Sequence, residues 1–232
     1  MSQPLVFLHG SGDTARVWRF QLAHFGPRAY ALDLPGHGQR ADTFSTEVTV
    51  QDYAQAVYQI MSSDLQLERP IIVGHSLGGA IALMLALEYG SALGGLILIG
   101  TGARLRVHPV LLEEVRQNSQ QAKLHLTELA VAPTHVPAFS QAMLEEQQVA
   151  APGILYRDLS ACNTFDVMSR LYEIQMPTLI ICGAEDRLTP VKYSEYLHKN
   201  IAGSQLRVID DAGHYVMREQ PDAVNLAIEV WT

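Results

Sequence analysis

Six short apolar runs constrain this chain more than any other feature: Leu5 to Leu8, Ala29 to Leu32, Ile71 to Val73, Leu96 to Ile99, Thr178 to Ile181 and Leu206 to Ile209. Most are too continuous for strands with one face in water, and such runs suit a parallel sheet covered by helices on both sides. Between them, Val50 to Leu65 carries Tyr53, Val57, Ile60 and Met61 on a helical stripe, and Ala80 to Tyr89 is apolar enough for a central helix. The alternation predicts an α/β fold with a mostly parallel six-stranded sheet. Right-handed crossovers then bring the carboxyl ends of the strands, and the loops that leave them, to one edge.

One part breaks the alternation. From Gly102 to about Tyr172 there is no convincing strand, but helical segments are expected around Val110 to Ala130, Pro137 to Val149 and Cys162 to Leu171, punctuated by Pro133, Pro137 and Pro152-Gly153. Seventy structureless residues would be improbable in a compact protein. A small helical cap over 102–172, inserted between core segments 1–101 and 173–232, accounts for them. Its apolar residues, among them Leu124, Leu126, Phe139, Met143, Leu144 and Phe165, need a partner surface, and the mouth above the sheet is available.

Gly74-His75-Ser76-Leu77-Gly78-Gly79 lies where a strand gives way to a helix. A serine there can occupy a strained turn that lifts its hydroxyl out of the sheet as a nucleophile. Such a serine needs a base, and the base an orienting acid. His214 follows the last strand and Asp186 the fifth, so both fall on the same edge as Ser76. His214 would take and return the Ser76 proton, and Asp186 would hold the imidazole tautomer. Glu185, Asp210 and Asp211 compete for the acid role on proximity. The chain order Ser76, Asp186, His214 is the one expected for this architecture. Negative charge developing on a substrate oxygen would meet the backbone amides of Ser11, in the His9-Gly10-Ser11-Gly12 segment after the first strand, and of Leu77.

Composition limits the alternatives. The formal charge of −8, with no long basic run, opposes nucleic acid and anionic lipid. The first residues lack a secretory pattern, no apolar stretch is long enough to span a membrane, and a cytoplasmic protein without stable membrane insertion is expected. Two widely spaced cysteines, Cys162 and Cys182, read as buried small side chains rather than a disulfide or metal knuckle. No metal and no cofactor is called for, since the scattered histidines have no ligand spacing and neither nucleotide-binding glycine pattern is present.

On these residues the chain resembles the α/β-hydrolase superfamily, and within it the small bacterial serine esterases. His9-Gly10-Ser11-Gly12 resembles their oxyanion segment, Asp33-Leu34-Pro35-Gly36-His37-Gly38 their loop after the next strand, and Gly74 to Gly79 their nucleophile elbow. Gly183-Ala184-Glu185-Asp186 and Gly213-His214 complete the likeness. The antiparallel strand pair that often precedes the oxyanion strand in that superfamily is not expected here. Enzymes that hydrolyse carbon-carbon bonds of dienone acids have a similar triad order, but many carry Asn-Ser-Met where this chain has His75-Ser76-Leu77. The resemblance implies a carboxylesterase acting on short to medium acyl esters, with an ester and water as its partners. A dienone-acid hydrolase, a monoacylglycerol lipase and a hydrolase-like binding protein are the alternatives. Trp18, His75, Phe139, Tyr156, Phe165, Leu188 and Tyr215 are the candidate pocket residues between cap and sheet edge. His37 is assigned to the turn after Asp33.

Overall fold

The computed structural model describes residues 3–44, 47–136, 139 and 153–232. Its six strands, β1 (Leu5–Leu8), β2 (Ala29–Leu32), β3 (Ile71–His75), β4 (Gly95–Ile99), β5 (Thr178–Gly183) and β6 (Gln205–Ile209), coincide with the six apolar runs to within two residues at either end. They form one sheet in the order β2-β1-β3-β4-β5-β6, every neighbouring pair parallel.

Continuous apolarity is explained by a core on each face. Val6, Leu8, Ile72, Leu96, Leu98 and Ile180 point to one side, against helices Val50–Gln59 and Leu77–Tyr89. Leu5, Phe7, Ile71, Val73, Ile97, Ile99, Leu179 and Ile181 point to the other, against Trp18, Phe25, Val216 and Ile228. Neighbouring side chains on a strand alternate faces, so two buried faces leave no polar alternation to read. The helix Leu77–Tyr89 is buried continuously from Leu77 to Ala86, as an apolar helix without a polar face must be. β6 departs from the pattern. It closes the sheet at one edge and three of its five residues are exposed, Val208 among them.

Between β4 and β5 the described residues carry helices, as expected, with different boundaries. Val110 to Ala130 is two helices, Pro109–Gln117 and Ser119–Ala130, because Asn118 leaves helical geometry (φ −151°, ψ 86°) and its side chain caps the second helix by accepting from the Gln121 amide at 3.1 Å. The segment expected at Cys162 to Leu171 starts earlier, as a helix Ile154–Thr164 followed by a 3₁₀ turn Met168–Glu173. Val50 to Leu65 is α-helical only to Gln59 and closes in a wider π-turn, Ile60–Asp64. The expected helix at Pro137 to Val149 lies outside the described residues apart from Phe139, as do Met143, Leu144, Pro152 and the Leu124 side chain.

The strand order determines where loops can diverge. From β1 the chain moves outward to β2 and then returns to β3 on the opposite side of β1. The loops leaving β1 and β3 therefore part in opposite directions, which opens a crevice at their carboxyl ends. The start of the helix after β3 packs directly on the end of β1: a Cβ on Gly78 would stand 2.3 Å from the Leu8 carbonyl oxygen and 2.7 Å from that of His9. Neither obstacle is a flexible side chain, so Gly78→Ala should lower stability by about 3 kcal/mol. Urea denaturation of the two proteins checks this, as a fall in midpoint with little change in slope.

Candidate active site

β3 ends at His75 and the next helix begins at Leu77, so strand turns into helix on the single residue Ser76. Its backbone takes φ 54° and ψ −115°, a conformation that costs on the order of 1–3 kcal/mol for a residue bearing a Cβ. The surroundings over-determine it. The Ser76 amide donates to the Ile99 carbonyl of β4 at 3.0 Å, and the Ser76 carbonyl accepts from the amides of Gly79 (2.9 Å) and Ala80 (3.1 Å) and the Thr101 hydroxyl (2.8 Å). Gly74 makes room for the turn, since a Cβ there would lie 2.2 Å from the Gly78 carbonyl oxygen.

The loops after β5 and β6 bring Asp186 and His214 together. His214 Nδ1 lies 2.9 Å from Asp186 Oδ2, and both side chains are nearly inaccessible. Asp186 Oδ1 accepts from the amides of Leu188 (2.9 Å) and Thr189 (2.8 Å), and its Oδ2 also accepts from the Thr189 hydroxyl at 2.7 Å. Burial pushes the Asp186 pKa up, but the charge and hydrogen bond of His214 and the Thr189 donors outweigh it and hold the carboxyl below its ordinary range. Burial likewise opposes the imidazolium of His214, but the Asp186 charge and hydrogen bond prevail and its pKa is raised. Of the carboxylates that competed for this position, Glu185 is exposed, and Asp211 is paired instead with His135 and Thr134. An imidazole held in this way can accept a proton at Nε2 while the carboxylate balances the charge.

The loop after β1 is secured from below by histidine and from above by the helices between β4 and β5. His9 Nε2 accepts from the Leu34 amide at 3.1 Å, and its Nδ1 faces the Gly10 carbonyl at 2.9 Å, which requires the neutral ring with the proton on Nδ1. Burial, with the charge of His37 beside it, drives the His9 pKa down to about 3. A turn closed by the Asp13 amide on the Gly10 carbonyl (3.2 Å) carries Ser11 and Gly12. Gly12, at φ 64°, is held at both its polar atoms: its amide donates to Asp158 Oδ2 at 2.8 Å, and its carbonyl accepts from the Lys123 ammonium. The Leu77 amide is the first of its helix, ahead of the intrahelical bonds, and is one of the donors a helix leaves over.

Asp158 is a residue sequence reasoning missed. It is fully buried in the helix Ile154–Thr164 and accepts from the Gly12 amide, from the Tyr53 hydroxyl at 2.5 Å and from His37 Nε2 at 2.9 Å. His37 Nδ1 donates to the Pro35 carbonyl at 3.2 Å; with both ring nitrogens donating, His37 is an imidazolium paired with a carboxylate. Burial disfavours both charges, yet mutual attraction and hydrogen bonding raise the His37 pKa and lower that of Asp158. His37 does serve the turn after Asp33, through its amide bond to the Leu34 carbonyl at 2.9 Å. Its partner lies 121 positions away, and no local pattern points to it. Thr189, three residues beyond Asp186, and Glu219 were missed as well. Glu219 Oε2 accepts from the amides of Ala132 (2.8 Å) and Gly213 (3.0 Å), while the His214 amide donates to the Ala130 carbonyl at 2.6 Å.

Ser11, Ser76 and His214 line one cavity of about 430 Å³ beneath the helices between β4 and β5. Of the expected pocket residues, His75, Leu188 and Tyr215 line it and the other four do not. Trp18 is fully buried in the sheet core, its ring 5.0 Å from that of Phe7. Phe165 belongs to the core cluster on the other face. Tyr156 points outward and is 39% exposed. Phe139 packs against Arg218 and His135. In their place the wall carries Leu105, Leu111, Leu126, Leu155 and Leu159, from the three described helices and the approach to the first. His75 donates from Nε2 to the His214 carbonyl at 3.0 Å, and its buried Nδ1, without a partner among the described residues, can accept one further hydrogen bond. Among the described residues no three of His, Cys, Asp and Glu are grouped to hold a metal, and no helix is long and apolar enough to cross a membrane.

Residues 5–227 match the model of the alpha/beta hydrolase family. The chain is 28% identical over 249 residues to the 2-hydroxy-6-oxo-6-phenylhexa-2,4-dienoate hydrolase of Comamonas testosteroni, covering 98% of this chain and 87% of that protein. Among solved structures it is similar to a thermophilic esterase, with 37% identity, a TM-score of 0.83, and 99% and 89% of the two chains covered. It is also similar to Est816, an N-acyl homoserine lactone degrading enzyme, with 28% identity, a TM-score of 0.90, and 100% and 94% covered.

The His37–Asp158 pair makes a testable contribution to stability. The raised His37 pKa contributes below the unfolded histidine value and is lost as pH rises through the folded one; the depressed Asp158 pKa contributes above the unfolded carboxylate value and is lost as pH falls through the folded one. The pair therefore acts between these limits. Asp158→Asn should cost up to about 3 kcal/mol near pH ~6 and less at an alkaline pH above the raised His37 value. Urea unfolding at the two pH values measures it, and an equal deficit at both would exclude the ion pair as the cause.

Proposed function

Since the chain belongs to the alpha/beta hydrolase family, and so is a hydrolase acting on small organic molecules, we propose that it is a serine carboxylesterase for short to medium acyl esters. The observation that carries the reading is the 2.9 Å contact of His214 Nδ1 with Asp186 Oδ2, in a cavity that Ser76 and His214 share. Ser76 Oγ attacks the ester carbonyl while His214 Nε2 takes its proton, so the carbonyl carbon gains the Oγ bond and its oxygen becomes an oxyanion. The amides of Ser11 and Leu77 receive that charge at the junction between the end of β1 and the start of the helix after β3. Collapse breaks the bond to the alkoxy oxygen, and His214 returns the proton to the departing alcohol. Water, activated by the same imidazole, then releases the acid from Ser76.

Asp186 orients His214 and balances the imidazolium, with Thr189 holding the carboxylate in turn. The fold supports a division in which residues 1–101 and 173–232 carry this machinery and the insertion 102–172 closes over it and shapes the acyl pocket. The modest cavity, walled by leucines, suits small acyl chains. The relative that hydrolyses a dienoate keeps a carbon-carbon bond hydrolase as the second reading. That chemistry would use the same serine and differ in the bond broken.

Ser76→Ala should leave a folded protein whose turnover of p-nitrophenyl butyrate falls by about 10³-fold or more; full turnover would remove Ser76 from the nucleophile role. A chain-length series should peak at short to medium esters, and a long-chain optimum with interfacial activation would favour a lipase instead. In the pH profile, kcat/KM should rise through a His214 pKa above the ordinary histidine value of 6.5. Asp186→Asn removes the charge that stabilises the imidazolium, so activity should fall and the acid limb should move to lower pH.

A further inference from the structure

Lys123 occupies the helix Ser119–Ala130 and lines the cavity that Ser76 and His214 also line. Its ammonium donates to the Gly12 carbonyl and has no ion-pair partner among the described residues. The carboxylates whose charges reach it are Asp13 and Asp158. Asp158 is occupied by His37, Tyr53 and Gly12, and Asp13 accepts from the Tyr215 hydroxyl at 3.1 and 3.3 Å. An ammonium has three donors, and the Gly12 carbonyl accounts for one. Burial lowers the Lys123 pKa while the charges of Asp13 and Asp158 pull it up, so the ammonium is partly balanced but keeps two donors that no described residue takes.

The mouth of the same cavity is also basic. Arg106 and Arg187 stand exposed around it beside His108 and His125, opposed by exposed Glu114 and buried Asp13 of the same lining. Arg106 donates to the Asn163 carbonyl at 3.0 Å and Arg187 to that of Glu128 at 2.8 Å; both partners are neutral backbone groups, which leave the guanidinium charges uncompensated. The chain as a whole carries −8, so this edge has the opposite sign to the rest of the molecule. With Lys123, three cations line the cavity against the carboxylates of Asp13 and Glu114, an excess of positive charge that favours anionic ligands.

We infer that Lys123 anchors a carboxylate carried by the substrate, so that the preferred substrate is an anionic ester with its free carboxylate a few bonds from the reacting carbonyl. The leucines of the wall would cover the hydrocarbon between the two groups, with Lys123 supplying a charge-assisted contact at its end. This rests on the ester-hydrolase reading of Ser76.

The test compares kcat/KM for p-nitrophenyl half-esters of succinic, glutaric and adipic acid with their methyl-capped counterparts, and for butyryl glycolate with its methyl ester. At least one charged ester should exceed its capped partner by about tenfold, and Lys123→Met should bring that ratio close to one. The ratio is the readout because loss of the Gly12 contact slows both members of a pair alike. A wild-type ratio at or below one in every pair, or a ratio unchanged by Lys123→Met, would overturn the inference. Calorimetric titration of glutarate into the Ser76→Ala protein needs neither turnover nor a folded Lys123→Met variant. Saturable binding that weakens with salt is expected, and no binding overturns the anion site. If the wild type hydrolyses no ester of either kind, the ester reading fails while the titration still reports on Lys123.

Discussion

The backbone at Ser76 is the constraint around which the rest of the molecule is arranged. A non-glycine residue at φ 54° relaxes unless its neighbours forbid it, and here they come from three directions. Ile99 of β4 holds the amide, the first turn of the following helix and Thr101 hold the carbonyl, and Gly78 lets that helix approach β1 closely. The parallel register of β1, β3 and β4 is therefore part of the same device as the serine. A sheet slipped by one residue would lose both the support for the strain and the proximity of the loop after β1.

The helices between β4 and β5 do more than cover the cavity. Ser119–Ala130 reaches the β1 loop through Lys123 and the β6 loop through the Ala130 carbonyl, which accepts from the His214 amide. Ile154–Thr164 reaches the β1 loop through Asp158. Two loops that carry proposed catalytic groups thus depend on the insertion for their backbone geometry. The Lys123 and Asp158 contacts converge on Gly12, the residue after the proposed oxyanion donor Ser11, while Cys162 Sγ of the same insertion lies 3.7 Å from Ser11 Oγ. Lys123 and Asp158 consequently hold the backbone one residue away from that proposed donor.

Three buried histidines near this centre differ in charge for reasons that burial alone does not give. His9 is neutral because one nitrogen must accept from Leu34 and His37 beside it is positive. His37 is charged because a carboxylate and a carbonyl both need its protons. His214 has Asp186 to support a positive charge when it forms, and a pKa raised towards that state. The Asp158 pair with His37 ties the helix insertion to the loop after β2, while the Asp186 pair with His214 joins the loops after β5 and β6. Each pair is made by residues from different crossovers, so folding of the whole sheet assembles both.

How much could be read in advance follows from the range of each interaction. Hydrophobic continuity over four or five residues marks a doubly covered strand, so all six strands were legible, and Gly74 to Gly79 marked the turn because its chemistry is local. Asp186 and His214 were legible by position, as residues leaving strand ends on a common edge. The break at Asn118 and the early start at Ile154 were not, since capping and packing set helix ends more than propensity does. Trp18, Phe165 and Tyr156 read as pocket aromatics because composition says nothing of which face they take, and packing drew the first two into the core and left the third on the surface. The sequence alone determined the layered parallel sheet and the strand ends that bear Ser76, Asp186 and His214, because strand patterning and turn chemistry act between near neighbours. Only the tertiary structure decided that Asp158 and Lys123 hold Gly12, that Glu219 ties Ala132 to the loop after β6, and that leucines wall the cavity, because those contacts join residues far apart in the chain that meet only once the sheet has closed its two cores.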